Sequence, residues 1–239
     1  VRFDNRDAGL STHFHESPMP DMPAVLAGDY STVSYTLSDM AADTVGLMDF
    51  LNLDTAHVVG ASLGGYIAQT LAIEYPDRIR SLTSMMATTG DMSLGQPDPE
   101  TMKIFRLQPP TNRNEAMDNA IAALKVIGSP GYATDETDSR ELAGKAWDRC
   151  YDPVGPARQG AASVASGDRT TRLRSVKLPT LVIHGSDDKM CGVSGGRATA
   201  DAIPGARLEI VAGMGHNMPR PLWPTLVSLI AEHVLNVEG

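Results

Sequence analysis

The sequence predicts an α/β protein with a parallel sheet and crossover helices. Strand-like and helix-like segments alternate along residues 36–87 and again along 179–234, which is the pattern of βα units. Residues 56–60, Ala-His-Val-Val-Gly, are short and apolar, as a strand buried on both faces should be. The chain has 239 residues, 42% hydrophobic and 21% charged, which suits one large domain able to bury a sizeable core.

Residues 1–4 alternate apolar and polar and read as a short strand entering a loop over 5–11. Residues 12–35, with His13, His15 and three prolines, show no period and read as an irregular surface segment. The period changes at Thr36. Leu37, Met40, Thr44, Met48 and Leu51 then recur every three or four residues, and Thr36 with Asp39 makes a capping-box start to a helix ending near Asn52. A strand over 56–60 follows, then a helix over 63–74 stopped by Pro76, then a strand-like stretch over 79–87.

Residues 88–176 interrupt the alternation with helical pieces near 100–107, 113–127, 136–150 and 153–166, separated by prolines and Gly128-Ser129-Pro130-Gly131. This stretch reads as a helical cap, or lid, inserted into a core formed by 1–87 and 177–239. The alternation resumes with a strand over 179–185, a helix near 193–202, a strand over 206–211 and a last helix from Pro224, which suits a first helical position. Leu226, Leu229, Ile230 and Val234 form its inward face.

A net charge of −9 should repel phosphate backbones and anionic lipid, so nucleic acid and polybasic membrane anchoring are poor partners. No apolar run reaches the roughly eighteen residues of a membrane span. Two cysteines, Cys150 and Cys191, make neither a disulfide framework nor a four-cysteine zinc site, and read as buried free thiols. No secretory signal precedes Val1. The natural start can lie upstream, so the compartment is not read from the sequence, and the cytoplasm is only the default.

The sharpest motif is Gly60-Ala61-Ser62-Leu63-Gly64, set between a strand and a helix. A serine on such a strained turn needs very small residues two positions away on either side, and the helix behind it aims free N–H groups at the reacting centre. Ser62 is therefore the candidate nucleophile, and the Leu63 N–H a candidate oxyanion donor. Serine needs a base and the base an orienting acid. His216, on the Gly213-Met214-Gly215 loop after the last strand, is the candidate base. His184 and His57 lie in strands and read as structural, His13 and His15 as solvated loop residues, and His233 as exposed. For the acid, Asp187 and Asp188 both follow the strand ending at Gly185, on the edge where α/β sheets place ligands. Spacing alone leaves both open.

The chain resembles the α/β-hydrolase family. The order Ser62, Asp188, His216 matches its Ser–acid–His order, and Gly185-Ser186-Asp187-Asp188 matches its G-x-x-D pattern at Asp188. Asp4-Asn5-Arg6-Asp7-Ala8-Gly9-Leu10-Ser11 resembles its D-x-R-x-x-G-x-S turn. Within the family, His57 to Ser62 and Ala212 to His216 are most similar to the aclacinomycin methylesterase-like esterases. The resemblance implies hydrolysis of small-molecule carboxylic esters through a Ser62–His216–Asp188 triad and an acyl-enzyme, with no metal or organic cofactor. Lactonases, C–C hydrolases, acyltransferases and perhydrolases share such a triad, and a non-catalytic receptor on the same scaffold is the alternative from another class. Serine at the elbow, where aspartate would stand, argues against dehalogenases and epoxide hydrolases.

Met85, Met86, Met190, Met214 and Met218 flank these loops and read as core filling, with an adaptable apolar pocket as the other use. Arg169, Arg172 and Arg174 read as a solvated basic face. The family resemblance also implies three strands ahead of the D-x-R turn, and the loop after the third supplies a second oxyanion donor. The 239 residues hold no counterpart. The expectation is a piece of a longer protein, or a vacant strand position filled by direct pairing or by another chain in an oligomer.

Overall fold

The computed structural model describes residues 1–239, the side chains of Phe105 and Arg106 apart. In chain order the elements are α1 (Met22–Leu26), α2 (Leu37–Phe50), β1 (Ala56–Ala61), α3 (Leu63–Glu74), β2 (Ile79–Met85), α4 (Arg113–Ile127), α5 (Glu136–Arg149), α6 (Gly155–Ala165), α7 (Thr170–Leu173), β3 (Thr180–Gly185), α8 (Val193–Ala202), β4 (Arg207–Val211) and α9 (Trp223–Glu238). Short 3-10 turns stand at Pro76–Arg78, Pro99–Arg106 and Arg220–Leu222. Among the described residues no helix is long and apolar enough to cross a membrane.

The four strands form one parallel sheet in the order β1-β2-β3-β4. Pairing in register sends alternate side chains to opposite faces. Met85, Leu181 and Ile183 pack with Leu222, just ahead of α9, and with Leu226 in its first turn, while Leu82 packs with Ala68 and Ala72 of α3 and with Leu173 and Ile203. Of the two inner strands, β3 is buried along its whole length. The first strand is not the two-face-buried strand that its composition suggests. It pairs only with β2, so it is an edge, and Val59 is 47% exposed.

Residues 1–4 do not form the expected strand. Val1 and Phe3 are exposed, and Asp4 is engaged locally instead. Its carboxylate accepts from the Leu10 N–H at 3.0 Å, and its carbonyl accepts from the Ser11 hydroxyl at 2.6 Å. Gly9, at φ 55°, lies against that carboxylate so closely that a Cβ would fall 2.2 Å from Asp4 Oδ2. The D-x-R turn is thus a closed loop whose glycine serves both its backbone angle and its packing. Arg6 of the same turn forks onto Asp43 of α2 at 2.6 and 2.7 Å.

The capping box holds as predicted: the Thr36 N–H and hydroxyl both reach the Asp39 carboxylate, at 2.7 and 2.8 Å. Asn52, at φ 55°, turns the chain out after α2. Three polar residues depart from their expected places. His13 is not a solvated loop residue, because Asp152 takes its Nδ1 at 2.8 Å and the Gly9 carbonyl lies 3.1 Å from Nε2. His233 is buried against the sheet rather than exposed, at 8%. Arg169 is buried at 2%, bonded to the Thr88 carbonyl at 3.0 Å and stacked 5.1 Å from the Tyr66 ring. Burial pushes its pKa down to about 10. Arg172 does pair at the surface, with Glu74.

Of the two cysteines, both free, Cys191 is buried but Cys150 is half-buried, with its sulfur 3.5 Å from His13 Nε2.

The leading segment is joined to α6 by a buried ionic cluster. Arg158 forks onto Asp7 at 2.8 Å through two nitrogens and reaches Asp152 at 3.0 Å. Tyr35 donates to Asp7 at 2.7 Å, and the Phe14 N–H donates to it at 2.8 Å. Burial pushes the Asp7 carboxyl up, but these donors outweigh it and hold it below the usual range. Burial likewise opposes Asp152, yet His13 and the Val154 and Gly155 N–H groups bring it down to about 2. Asp152 and then the Gly9 carbonyl raise His13.

A raised histidine contributes stability below its ordinary pKa of 6.5 and loses it as pH rises through the folded value. A depressed carboxylate contributes above 3.8 and loses it as pH falls through its folded value. The His13–Asp152 pair should therefore stabilise most between those ordinary values. In urea unfolding, His13→Gln is expected to cost most near pH 5.5 and least at pH 9. Arg158→Met, which strands Asp7, should cost about 3–5 kcal/mol near neutral pH.

Candidate active site

The segment joining β1 to α3 turns at Ser62, whose φ of 54° and ψ of −121° lie outside the regions a side chain normally favours. Such strain persists only where surroundings over-determine it. Here the Ser62 N–H donates to the Met85 carbonyl at 2.9 Å, and the Ser62 carbonyl accepts from the Gly65 and Tyr66 N–H groups at 2.8 and 3.2 Å. Gly60 leaves no room for a Cβ, which would stand 2.0 Å from the Gly64 carbonyl oxygen. On the other side the tight glycine is Gly65, against the Ala87 methyl, whereas Gly64 faces open space. The steric demand thus falls one residue later than the motif spelling suggests. Leu63 begins α3, so its N–H has no acceptor inside the helix and points with the positive end of the dipole.

His216 bridges the other two predicted residues. Its Nε2 lies 2.9 Å from Ser62 Oγ, and its Nδ1 lies 2.8 Å from Asp188 Oδ2. Sequence separations of 154 and 28 residues are closed by the parallel sheet, whose strand ends carry all three loops. The two neighbouring aspartates diverge. Asp188 is buried at 6%, whereas Asp187 is exposed and its carboxylate accepts from the Ser186 hydroxyl at 2.5 Å.

Asp188 is held by groups that sequence reasoning did not identify. The Met190 and Cys191 N–H groups donate to its Oδ1 at 2.9 and 2.8 Å, leaving Oδ2 to the imidazole. Backbone donors carry no residue-type signal, so no motif could have named them. Beneath this turn, His184 is fully buried, and its Nε2 donates to the Cys191 carbonyl at 2.7 Å. Burial keeps His184 below its ordinary pKa and hence neutral near neutral pH. Its structural role agrees with its strand position. His57 is likewise structural, bonded to Ser81 and Glu238. Burial pushes the Cys191 thiol up to about 12, so it remains protonated and unreactive beside the aspartate. Met85, Met86 and Met214 are buried in the cluster under these loops, while Met218 is 44% exposed. Chemically, a hydroxyl, an imidazole and a carboxylate in one line can move a proton off the hydroxyl while a bond forms at its oxygen.

Among the described residues, the cluster with metal-ligand spacing is Asp7, His13 and Asp152, and Arg158 already occupies it with its guanidinium. A cation there would displace a fixed positive charge, so the donor set does not suit a metal.

A family model described as alpha/beta hydrolase fold matches residues 2–219. Rhodomycin D methylesterase DauP of Streptomyces sp. (strain C5) is 26% identical, over 98% of this chain and 80% of that protein. A 2-hydroxy-6-oxononadienedioate/2-hydroxy-6-oxononatrienedioate hydrolase of Paraburkholderia phymatum is 28% identical, over 82% of this chain and 68% of that protein. The enol-lactonase of Burkholderia xenovorans LB400 superposes with a TM-score of 0.71 at 22% identity, covering 97% of this chain and 79% of that one.

The geometry separates the aspartates experimentally. Asp188→Asn should lower turnover by a factor on the order of 10³–10⁴, because an amide favours the wrong imidazole tautomer. Asp187→Asn should stay within about twofold of wild type, since its partner is a neighbouring hydroxyl. Steady-state rates of the two purified variants on a short p-nitrophenyl ester check both, and the opposite order would assign the role to Asp187.

Proposed function

This chain belongs to the α/β hydrolase fold family, and we propose that it acts there as a serine carboxylic-ester hydrolase on small-molecule esters. The single observation that carries the reading is the His216 imidazole standing within hydrogen-bond reach of both Ser62 and Asp188. In the proposed mechanism Ser62 Oγ attacks the ester carbonyl while His216 Nε2 takes its proton. Asp188 keeps Nδ1 protonated and steadies the imidazolium that forms. The Leu63 N–H donates to the developing oxyanion. The protonated His216 then gives its proton to the leaving alcohol, leaving an acyl-enzyme on Ser62. Water deprotonated by His216 releases the acid and restores the serine. No cofactor enters any of these steps.

The methylesterase similarity supports an ester over a carbon–carbon bond as the substrate linkage, because it spans nearly the whole chain. We further propose that residues 88–176 act as a cap over the site. Within it α6 is anchored to the leading segment by Arg158, whereas α4 and α5 pack mainly on each other with few buried residues. The mobile part of the cap should be the α4–α5 pair. Hydrogen exchange is expected to show α4 and α5 amides exchanging faster than β1 and β3 amides. Equal protection would overturn a mobile cap.

The central test uses a fluorophosphonate probe with short p-nitrophenyl and methyl esters. Wild type should be labelled at Ser62 and turn esters over. Ser62→Ala should lose labelling and fall below a tenth of the wild-type rate while keeping its fold, and His216→Ala should cost about as much, since such residues act as a unit. Labelling without turnover on any ester would favour a receptor instead.

A further inference from the structure

The turn after α4 does more than connect two helices. Resting on the reading of His216 as the base, we propose that Ser129 is a positioning residue for His216, and that the segment from Ile127 to Gly131 clamps the His216 loop in line with Ser62 and Asp188.

The hydrogen bonds across this junction fall on the loop that carries the imidazole. The His216 N–H donates to the Ile127 carbonyl at 2.7 Å, and the Gly131 N–H donates to the Gly213 carbonyl at 2.9 Å. Between them, Ser129 Oγ accepts from the Gly215 N–H at 2.9 Å and donates to Asn217, whose Oδ1 lies at 2.6 Å and whose carbonyl lies at 3.3 Å. One hydroxyl thus ties the residues immediately before and after His216. At Gly128–Gly215 and at Gly131–Gly213 the two segments meet backbone to backbone. A Cβ on Gly215 would stand 2.2 Å from the Gly128 carbonyl oxygen, and one on Gly131 would stand 2.7 Å from Gly213 Cα. Ser129 is 4% exposed, so water does not compete for these bonds.

The opposite flank of the loop is fixed by the acid's own segment. The Asp187 N–H donates to the Met214 carbonyl at 2.9 Å, and the Gly213 N–H donates to Ser186 Oγ at 2.9 Å. The His216 loop is therefore held between the segment that bears Asp188 and the turn that closes α4. With the sheet-side bonds alone, it could shift away from Ser62. A displacement of about 1 Å at a reacting centre can cost on the order of 10²-fold in rate. The same wiring means that the cap cannot lift at this corner without carrying the base with it, so opening has to occur at its far end.

The test compares Ser129→Ala with Ser129→Thr, which keeps the hydroxyl, and with Asn217→Ala, which removes the nearer of its two acceptors on residue 217. On a short p-nitrophenyl ester, Ser129→Ala should lose about 10- to 100-fold in kcat with KM within about twofold. Ser129→Thr should recover most of it, and Asn217→Ala should lose less. Proton NMR supplies a readout independent of turnover, the downfield His216 Nδ1–H signal from its bond to Asp188. That signal should broaden or move in Ser129→Ala and return in Ser129→Thr. Wild-type kcat and an unmoved signal in Ser129→Ala would overturn the proposal. Should that variant fail to fold, an unmoved signal in Asn217→Ala overturns it equally. Wild type with no ester turnover but a signal that responds to Ser129 would defeat the esterase reading and leave the clamp standing.

Discussion

Ser62 is held at a positive φ, and much of the sheet's carboxyl edge is arranged around that one backbone conformation. The turn costs on the order of 1–3 kcal/mol, and the groups that keep it in place come from several elements. Its N–H is bonded to the end of β2, its carbonyl to the first turn of α3, and its flanking Gly60 gives up a side chain to let the Gly64 carbonyl pass. Met86, one residue past β2, also has positive φ, at 42°, and its N–H is bonded to Ile183 of β3. Two consecutive strand ends thus carry unusual angles side by side. The serine hydroxyl is aimed by pairing within the sheet rather than by loop residues alone.

The bridging imidazole has a different kind of support. Nothing in the Gly-rich loop from Gly213 to Gly215 is rigid in itself, and glycine raises the entropy that ordering must overcome. Order is imposed from outside, by backbone bonds to the acid's segment on one flank and to the α4–α5 turn on the other. Glycine is used there because only bare backbone lets three chain segments approach so closely. The price of that flexibility is dependence on partners far away in sequence.

This division explains what was legible in the sequence. The β1–α3 elbow, the Thr36–Asp39 cap, the β3 strand and the helices read near 113–127 and 136–150 depend on neighbours within a few residues, and their patterns are visible in the sequence. The choice between Asp187 and Asp188 could not be made from spacing alone, because two adjacent loop residues differ only in which way each side chain faces. Residues 1–4 alternate like a strand, but alternation does not say whether a partner lies alongside, and here Asp4 closes its own turn instead. His13 and Arg169 escape the sequence pattern for a single reason. A polar side chain is buried where remote groups satisfy it, and Asp152 lies 139 residues from His13.

Arg169 shows how far such satisfaction can go. Among the described residues it has no carboxylate within ion-pair distance, yet it is buried under the carbonyls of Thr88 and Gly167 and the face of Tyr66. Its Nε also lies 3.3 Å from Gln69 Oε1, and Gln69 in turn donates to Ser84 Oγ at 3.1 Å. A buried charge without a counter-ion is costly, and this one is met by neutral dipoles and a ring face rather than an anion. Its partners link the strand end after β2, the middle of α3 and the segment entering α7. The guanidinium therefore acts as a polar rivet behind the elbow. Gln69 and Tyr66 lie on the α3 turns just beyond Ser62, so packing that fixes Arg169 also fixes the helix whose first N–H groups face the proposed oxyanion. The strain at Ser62 is thus supported from β2 and α3, whereas the His216 loop is ordered by the acid's segment and the α4–α5 turn, and the bond between Nε2 and Oγ joins the two.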